Sequence, residues 1–367
     1  MKIKPLLTLS FLFLLSIPIT GWSAIECRFG NGSGGTSVLV NGGSSNNIRW
    51  AYSQGPGNYS SDQSMNLLAT VNLSLSPSLT SNCSTGNDGE VLKEKADTTS
   101  PVSASPLDEN AVLYPTNISG IYFNVKIYSS AGGGFFKNTG TTNDGWETLE
   151  ADHNDERWRG KSWSALIKIY QDNSRFYGNK NKLTTLTPGG SFTLGQMAIG
   201  DRTDSNNKPW TFTISPTSFQ IPIIATTCQA TALAGAGGAN NIDLGEYMLS
   251  DFNASPKTKT FNVELTGCNN LFGIDVKITS NKTTGSDNSL LGNTLTTNAA
   301  AGVGVKLYAG SWTQLVPNVT SYTQYSFDTG SGVAASALQF QAQLVKDGNT
   351  MKAGEFKAAT TITMNYF

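Results

Sequence analysis

"IYFNVKIY", residues 121–128, alternates without a break: Ile121, Phe123, Val125 and Ile127 fall on one face, Tyr122, Asn124, Lys126 and Tyr128 on the other. Period two is the mark of a strand with one buried and one wet face. The pattern recurs in "WSALIKIY" (Trp163, Ala165, Ile167, Ile169) and "WTFTI" (Trp210, Phe212, Ile214). It returns late in the chain in "FNVELTGC" (Phe261, Val263, Leu265), "VGVKLY" (Val303, Val305, Leu307) and "LQFQAQLV" (Leu338, Phe340, Ala342, Leu344). No stretch of helical length carries a convincing 3.6-residue periodicity. The expectation is an all-β chain, and 367 residues is enough for two β-sandwich domains with separate cores. Pro222 in "SFQIPIIATTC" cannot donate to a central ladder, so a strand ends or lies at an edge there and a boundary is placed nearby. The expected division is residues 1–23 as signal peptide, 24–221 and 228–367 as the two domains, and 222–227 as linker.

Charge and composition remove several function classes. Lys and Arg total 25 against 26 Asp and Glu, a net charge of −1, which gives no electrostatic reason to expect nucleic acid or an anionic membrane as partner. Only 14% of residues are charged, and Gly is abundant, as in turn-rich extracellular domains. Lys2 and Lys4 followed by an apolar run from Leu6 to Ile19 read as an export signal. Cleavage after Ser23 leaves small residues, Ser23 and Gly21, where the peptidase requires them, and the mature chain then starts at Ala24; Ile25 is the other candidate start. Four cysteines follow, which allow three pairings. They form two sequence-local couples, so Cys27–Cys83 and Cys228–Cys268 is the simplest choice, one bridge per half, in an oxidising compartment. Such loops contribute about 4 kcal/mol each in the chain-entropy account. With no CxxC pair and one His, neither a structural metal nor a cofactor is expected.

Two polar stretches, 84–110 and 138–163, read as long surface loops. The second gathers Asp144, Glu147, Glu150, Asp152, Asp155 and Glu156 with Trp146, Trp158 and His153. It can be a solvated loop, a binding or interface loop, or a site of carboxylate chemistry, since a glycosidase needs two carboxylates facing each other across a sugar. No Ser or Cys sits in a recognised nucleophile setting. Glycine clusters such as "AGGGFF" and "AGAGGAN" continue into no phosphate-binding motif and read as turns and bulges. "GDRTDSNNKPW", 200–210, lies between two strand-like runs, "SFTLGQMAI" and "WTFTI", as a hairpin loop would. It is either an ordinary polar turn or part of a ligand pocket, because carboxylates and amides match sugar hydroxyls.

The second half resembles the pilin domain of chaperone–usher fimbriae. The resemblance rests on the spacing of Cys228 and Cys268, with the second closing "FNVELTGC", on "AGVGVKLY" (301–308), and on the closing "AGEFKAATTITMNYF" with its penultimate Tyr366. With a further domain ahead, the chain looks like a two-domain tip adhesin similar to the type 1 fimbrial adhesin. The fold so implied is a lectin-like adhesin sandwich followed by an incomplete immunoglobulin-like pilin sandwich. By the same resemblance, Asn87, Asp88, Asp201, Asp204, Asn206 and Asn207 are carbohydrate-binding candidates, together with the mature N-terminus. The first domain is longer than that lectin and its spacing after Cys83 differs, so the resemblance does not specify mannose. The implied partners are a periplasmic chaperone, an outer-membrane usher, the donor strand of the next subunit, and a host glycan or matrix-protein receptor; the implied location is the fimbrial tip. Phe356, Ile362, Met364, Tyr366 and Phe367 would form the edge that a partner strand completes, with the terminal carboxylate as the chaperone's handle. The implied activity is non-covalent binding without turnover; a matrix-protein adhesin and a secreted glycan-active enzyme are the alternatives.

Overall fold

The computed structural model describes residues 27–367 apart from 44–45, 52–64, 85–90, 98, 100–102, 106–107, 109, 138–143, 151–156, 201, 203, 235–239 and 326–335. Among the described residues the chain is built from strands and turns, with a single five-residue 3-10 segment, Leu249–Asn253. Strands as far as Phe219–Pro222 enclose one apolar core, and strands from Thr227–Ala234 onward enclose another. The expected all-β, two-sandwich architecture is what the sequence forms.

In the first domain Ser164–Asp172 lies between Met65–Ser76 and Ile121–Ser129, antiparallel to both. Ile167 stands opposite Val71 on one side and Val125 on the other. The alternating residues Ile121, Phe123, Val125, Ile127, Ala165, Ile167 and Ile169 are at most 1% exposed, so the periodicity translates directly into core. Burying a branched or aromatic side chain of this kind contributes about 1.5–3 kcal/mol. Met65–Ser76 is shared between layers: its residues 65–73 pair with Ser164–Asp172, and 74–76 pair with Gly35–Val40. From there the sheet continues through Trp210–Ile214, Phe192–Ile199, Leu92–Ala96 and Glu147–Glu150. Trp210–Ile214 pairs antiparallel with Phe192–Ile199, so 200–209 is the hairpin loop read from the sequence.

The two polar stretches are more structured than expected. The region 84–110 contributes Leu92–Ala96, a strand paired on both sides, and Ser103–Ser105. "LKEKA" carries three charges, yet Leu92 and Glu94 point inward and are fully buried, so the charges hid a core strand. The region 138–163 contributes Glu147–Glu150 and Lys161–Ser162, and Trp158 is a fully buried core residue stacked on Trp163 at 5.6 Å.

In the second domain one sheet runs Thr227–Ala234, Thr258–Asn269, Ser336–Lys346, Val303–Ala309, Leu290–Leu291, Thr283–Thr284. The facing sheet is Thr320–Tyr325, Gly273–Thr279, Thr361–Tyr366. Both disulfides form as expected; Cys27–Cys83 joins directly opposed residues of paired strands, and Cys228–Cys268 ties Thr227–Ala234 to its neighbour.

The domains meet through a compact junction. Asn270, in the left-handed region (φ 51°), accepts the Trp50 N–H at 2.8 Å and donates to the Ile224 carbonyl at 2.7 Å. Phe176 of the first domain packs edge-on against Phe272 of the second, with ring centroids 4.5 Å apart. At the rim Lys180 pairs with Asp275 at 3.0 Å.

Candidate functional site

Two ends of the molecule carry the candidate residues. At one end of the first domain, Cys27–Phe29 pairs with Thr80–Cys83, which pairs in turn with Lys161–Ser162. An aromatic wall backs this small sheet: Phe29 meets Trp163 edge-on at 5.0 Å, and Trp163 stacks on Trp158. Ser81 is buried and ties the wall together, accepting from Trp163 Nε1 at 3.0 Å and donating to the Trp158 carbonyl. Burial makes each of these hydrogen bonds obligatory.

The 200–210 loop folds onto the same end. Gly200 N–H donates to the Val91 carbonyl at 2.9 Å, and Lys208 N–H to the Gly32 carbonyl at 2.8 Å. Gly32 has φ +85°, and a Cβ there would lie 1.7 Å from the Asn206 carbonyl oxygen, so only glycine allows this approach. Asn207 is buried, and its amide donates to the carbonyls of Cys27 (3.2 Å) and Ile199 (2.6 Å). It therefore staples the loop to the first strand, with both of its amide N–H bonds made within the protein. Asp204 turns the loop, accepting the Asn206 N–H at 2.8 Å, while the Asn206 side chain is exposed. Asn87, Asp88 and Asp201 lie outside the described residues. The flanks of the first two do not: Ser84, whose carbonyl accepts from Arg159 at 2.9 Å, and Val91 both belong to this end.

Arg202, read from the sequence only as one of the loop's polar groups, is its link outward. It forms an ion pair with Asp144 and lies over the Trp146 ring, 5.1 Å from its centroid. The 144–147 turn and the 200–210 loop are thus joined by one guanidinium. No spacing rule links positions so far apart; they meet because Glu147–Glu150 and Phe192–Ile199 flank Leu92–Ala96 in one sheet. The outcome is a polar rim of amide, carboxylate and guanidinium groups beside an aromatic ring. Such a rim can hydrogen-bond to hydroxyls and stack against an apolar sugar face.

No cluster of three metal-ligating side chains occurs among the described residues. Glu94 is fully buried behind the rim; burial pushes its carboxyl up to about 8, although its Oε1 accepts the Lys137 N–H at 3.0 Å. Burial also pushes the Asp108 carboxyl up, but hydrogen bonds from Lys168, Tyr170 and Asn124 outweigh it and hold the group below the usual carboxylate range. Both acids are enclosed within the fold.

The other end is the closing strand. Among the described residues, Thr361–Tyr366 pairs with Gly273–Thr279 on one side and ends its sheet on the other. Phe367 and Gly273 exchange both main-chain hydrogen bonds, at 3.0 and 2.9 Å. Antiparallel alternation then turns the main-chain groups of Tyr366, Met364 and Ile362 toward the free edge. The same three side chains pack against the second core but are only half-buried, whereas Ile274, Val276 and Ile278 beside them are 0% exposed. Two members of the expected edge behave differently. Phe356 precedes the strand, in a segment held by isolated bridges at Lys352 and Glu355. Phe367 is 1% exposed and belongs to the first domain's core cluster, because the junction covers it. A cavity of about 150 Å³ in the second domain is lined by Tyr247, Phe252 and Leu344, and by none of the candidate residues.

Residues 217–367 match the family model described as "Fimbrial protein". No curated protein matches the chain in sequence. Among solved structures, the CupB6 tip adhesin from Pseudomonas aeruginosa is 14% identical, with 93% of this chain and 94% of that chain covered at a TM-score of 0.47. CfaE, the adhesive subunit of CFA/I fimbria of enterotoxigenic Escherichia coli, is 10% identical over 91% of this chain and 97% of that one, at 0.23. The P pilus rod subunit PapA is 16% identical over 38% of this chain and 99% of its own, at 0.29.

Proposed function

Taking residues 217–367 as a domain of the fimbrial-protein family, we propose that the chain is a chaperone–usher fimbrial tip adhesin. The observation that carries the reading is an additional β-sandwich placed ahead of a domain similar to fimbrial protein, in which Thr361–Tyr366 is a sheet edge with half-buried inward side chains. A strand added along Thr361–Tyr366 would meet the main chain of Ile362, Met364 and Tyr366 and cover their side chains, which is β-augmentation. Chaperone, usher-guided assembly and the next subunit's donor segment follow from that reading, as does display at the fimbrial tip. Left unfilled, such an edge favours aggregation.

The first domain would bind a receptor non-covalently and without turnover, at the end where Cys27–Cys83, the 200–210 loop and the Arg202–Asp144–Trp146 group converge. We assign it a glycan, because exposed amide and carboxylate groups beside an indole suit sugar hydroxyls and a sugar face. The test applies the full chain to a glycan array and to collagen- and laminin-coated surfaces. Retention of an unchanged oligosaccharide, weakened at least tenfold by Trp146→Ala, is the expected result. Saturable binding to matrix protein alone replaces the glycan with a protein receptor. Cleavage of the sugar sinks the adhesin reading.

A further inference from the structure

Phe367 sits at the meeting point of two systems that the sequence keeps separate. As part of the second domain it extends the closing strand: its main chain pairs with Gly273 in both directions, and its oxygen also accepts the Phe272 N–H at 2.8 Å. As part of the junction its ring is enclosed by the first domain. Gly178, at φ +88°, lies so close that a Cβ there would be 2.1 Å from Phe367 Cδ2. Lys180 Nζ stands 4.5 Å from the ring centroid while its ammonium also pairs with Asp275. Phe176 covers Phe272, the residue whose N–H holds the Phe367 oxygen. Tyr325, on the far neighbour of the same sheet, closes the ring in at 6.1 Å.

From this geometry we infer that domain docking and strand addition are linked through Phe367: the first domain fixes the end of the edge that a partner strand must pair with. The inference rests on the strand-addition reading above. An edge strand held on one side only frays from its end. Here the end is the best-anchored part of the strand, although Ile362, Met364 and Tyr366 are only half-buried. Docking therefore holds the free main-chain groups of Tyr366 and Met364 in register for a partner. By reciprocity, a strand seated on that edge holds Phe367 in place and tightens the junction. The partner this suits is an extended, alternating apolar segment, which gains from a pre-set edge.

The linkage is testable in the full-length protein with a substitution outside the second domain. Gly178→Ala places a methyl group where the Phe367 ring lies and leaves every residue of the closing strand unchanged. Phe367→Ala removes the ring from the other side and keeps the main-chain pairing. The probe is a synthetic thirteen-residue peptide alternating valine and threonine, followed by fluorescence anisotropy. Docking is followed by hydrogen exchange at the Trp50 N–H, which bonds to Asn270 across the junction. The expected result is faster Trp50 exchange in both variants, peptide binding weakened about fivefold or more in Gly178→Ala, and slower Trp50 exchange in the unaltered protein once peptide is bound. Peptide affinity unchanged in Gly178→Ala despite an opened junction overturns the linkage and leaves strand addition standing. Failure of both variants to speed Trp50 exchange also overturns it. Failure of the peptide to bind the unaltered protein overturns the linkage and the strand-addition reading together.

Discussion

Ile121–Ser129 and Thr361–Tyr366 are written in the same alternating code and end in different environments. The first pairs with Ser164–Asp172 along its length and with Ala111–Pro115 and Gly132–Phe135 on its other side, and its inward side chains are sealed. The second, among the described residues, pairs on one side only, and its inward side chains are half-buried. Alternation therefore specifies which face of a strand turns inward; it does not specify how many neighbours the strand has. That second property decides whether a strand is scaffold or binding surface.

The comparison can be broken most severely in the sealed strand. Phe123→Ala should cost about 3–5 kcal/mol, because the ring contacts Tyr114 and Phe219 and the cavity cannot collapse; denaturant unfolding of the first domain measures it. Removing one side's covalent brace, with Cys27 and Cys83 both changed to Ser, should cost about 4 kcal/mol in the same measurement.

Glu94 sharpens the comparison by placing a carboxyl on the inward face of a strand paired on both sides. Its folded value near 8 lies above the ordinary value of 4.5, so between those limits the folded state holds the proton more tightly than the unfolded state. Stability then falls as pH rises through that window, by at most about 1.4 kcal/mol per pH unit, and levels off above it. Glu94→Gln should flatten the dependence and stabilise the protein at pH 8 relative to pH 5; urea midpoints across that range report it. The smallest effect belongs to the edge. Met364→Ala should cost about 1 kcal/mol in the free protein and about 2–3 kcal/mol once a strand covers it, so the cost of this one substitution measures the filling of the groove.

Much of the framework was legible. The runs at Ile121–Ser129, Ser164–Asp172 and Trp210–Ile214 announce themselves because their inward positions are all large and apolar. Leu92–Ala96 does not, because its second inward position is Glu94, an acid made tolerable by burial with its proton. Met65–Ser76 alternates in burial only over its last residues, since its earlier part carries a bulge opposite Ile169 and Tyr170 that breaks the period. At the candidate site, residue type alone does not separate surface groups from structural ones. Asn206 and Asn207 are neighbours of the same kind, but one faces solvent and the other serves as a staple, a distinction made by the carbonyls of Cys27 and Ile199. Arg202, the link to Asp144 and Trp146, and Phe367, the link between domains, depend on long-range closure that no local pattern encodes.

Ser164–Asp172 begins beside the Cys27–Cys83 end, where Trp163 N–H bonds to the Leu79 carbonyl, and finishes beside the junction, where Gln171 bonds to Ala51. On the tip-adhesin reading proposed above, a pull between a ligand at the first end and a fibre at the second would load this strand along its own axis. Its hydrogen bonds to both neighbours lie across that axis, so tension loads them in parallel, as a shear, and none can be peeled off alone. On that reading the strand would serve as a tie-rod as well as a core element, because it is flanked on both sides.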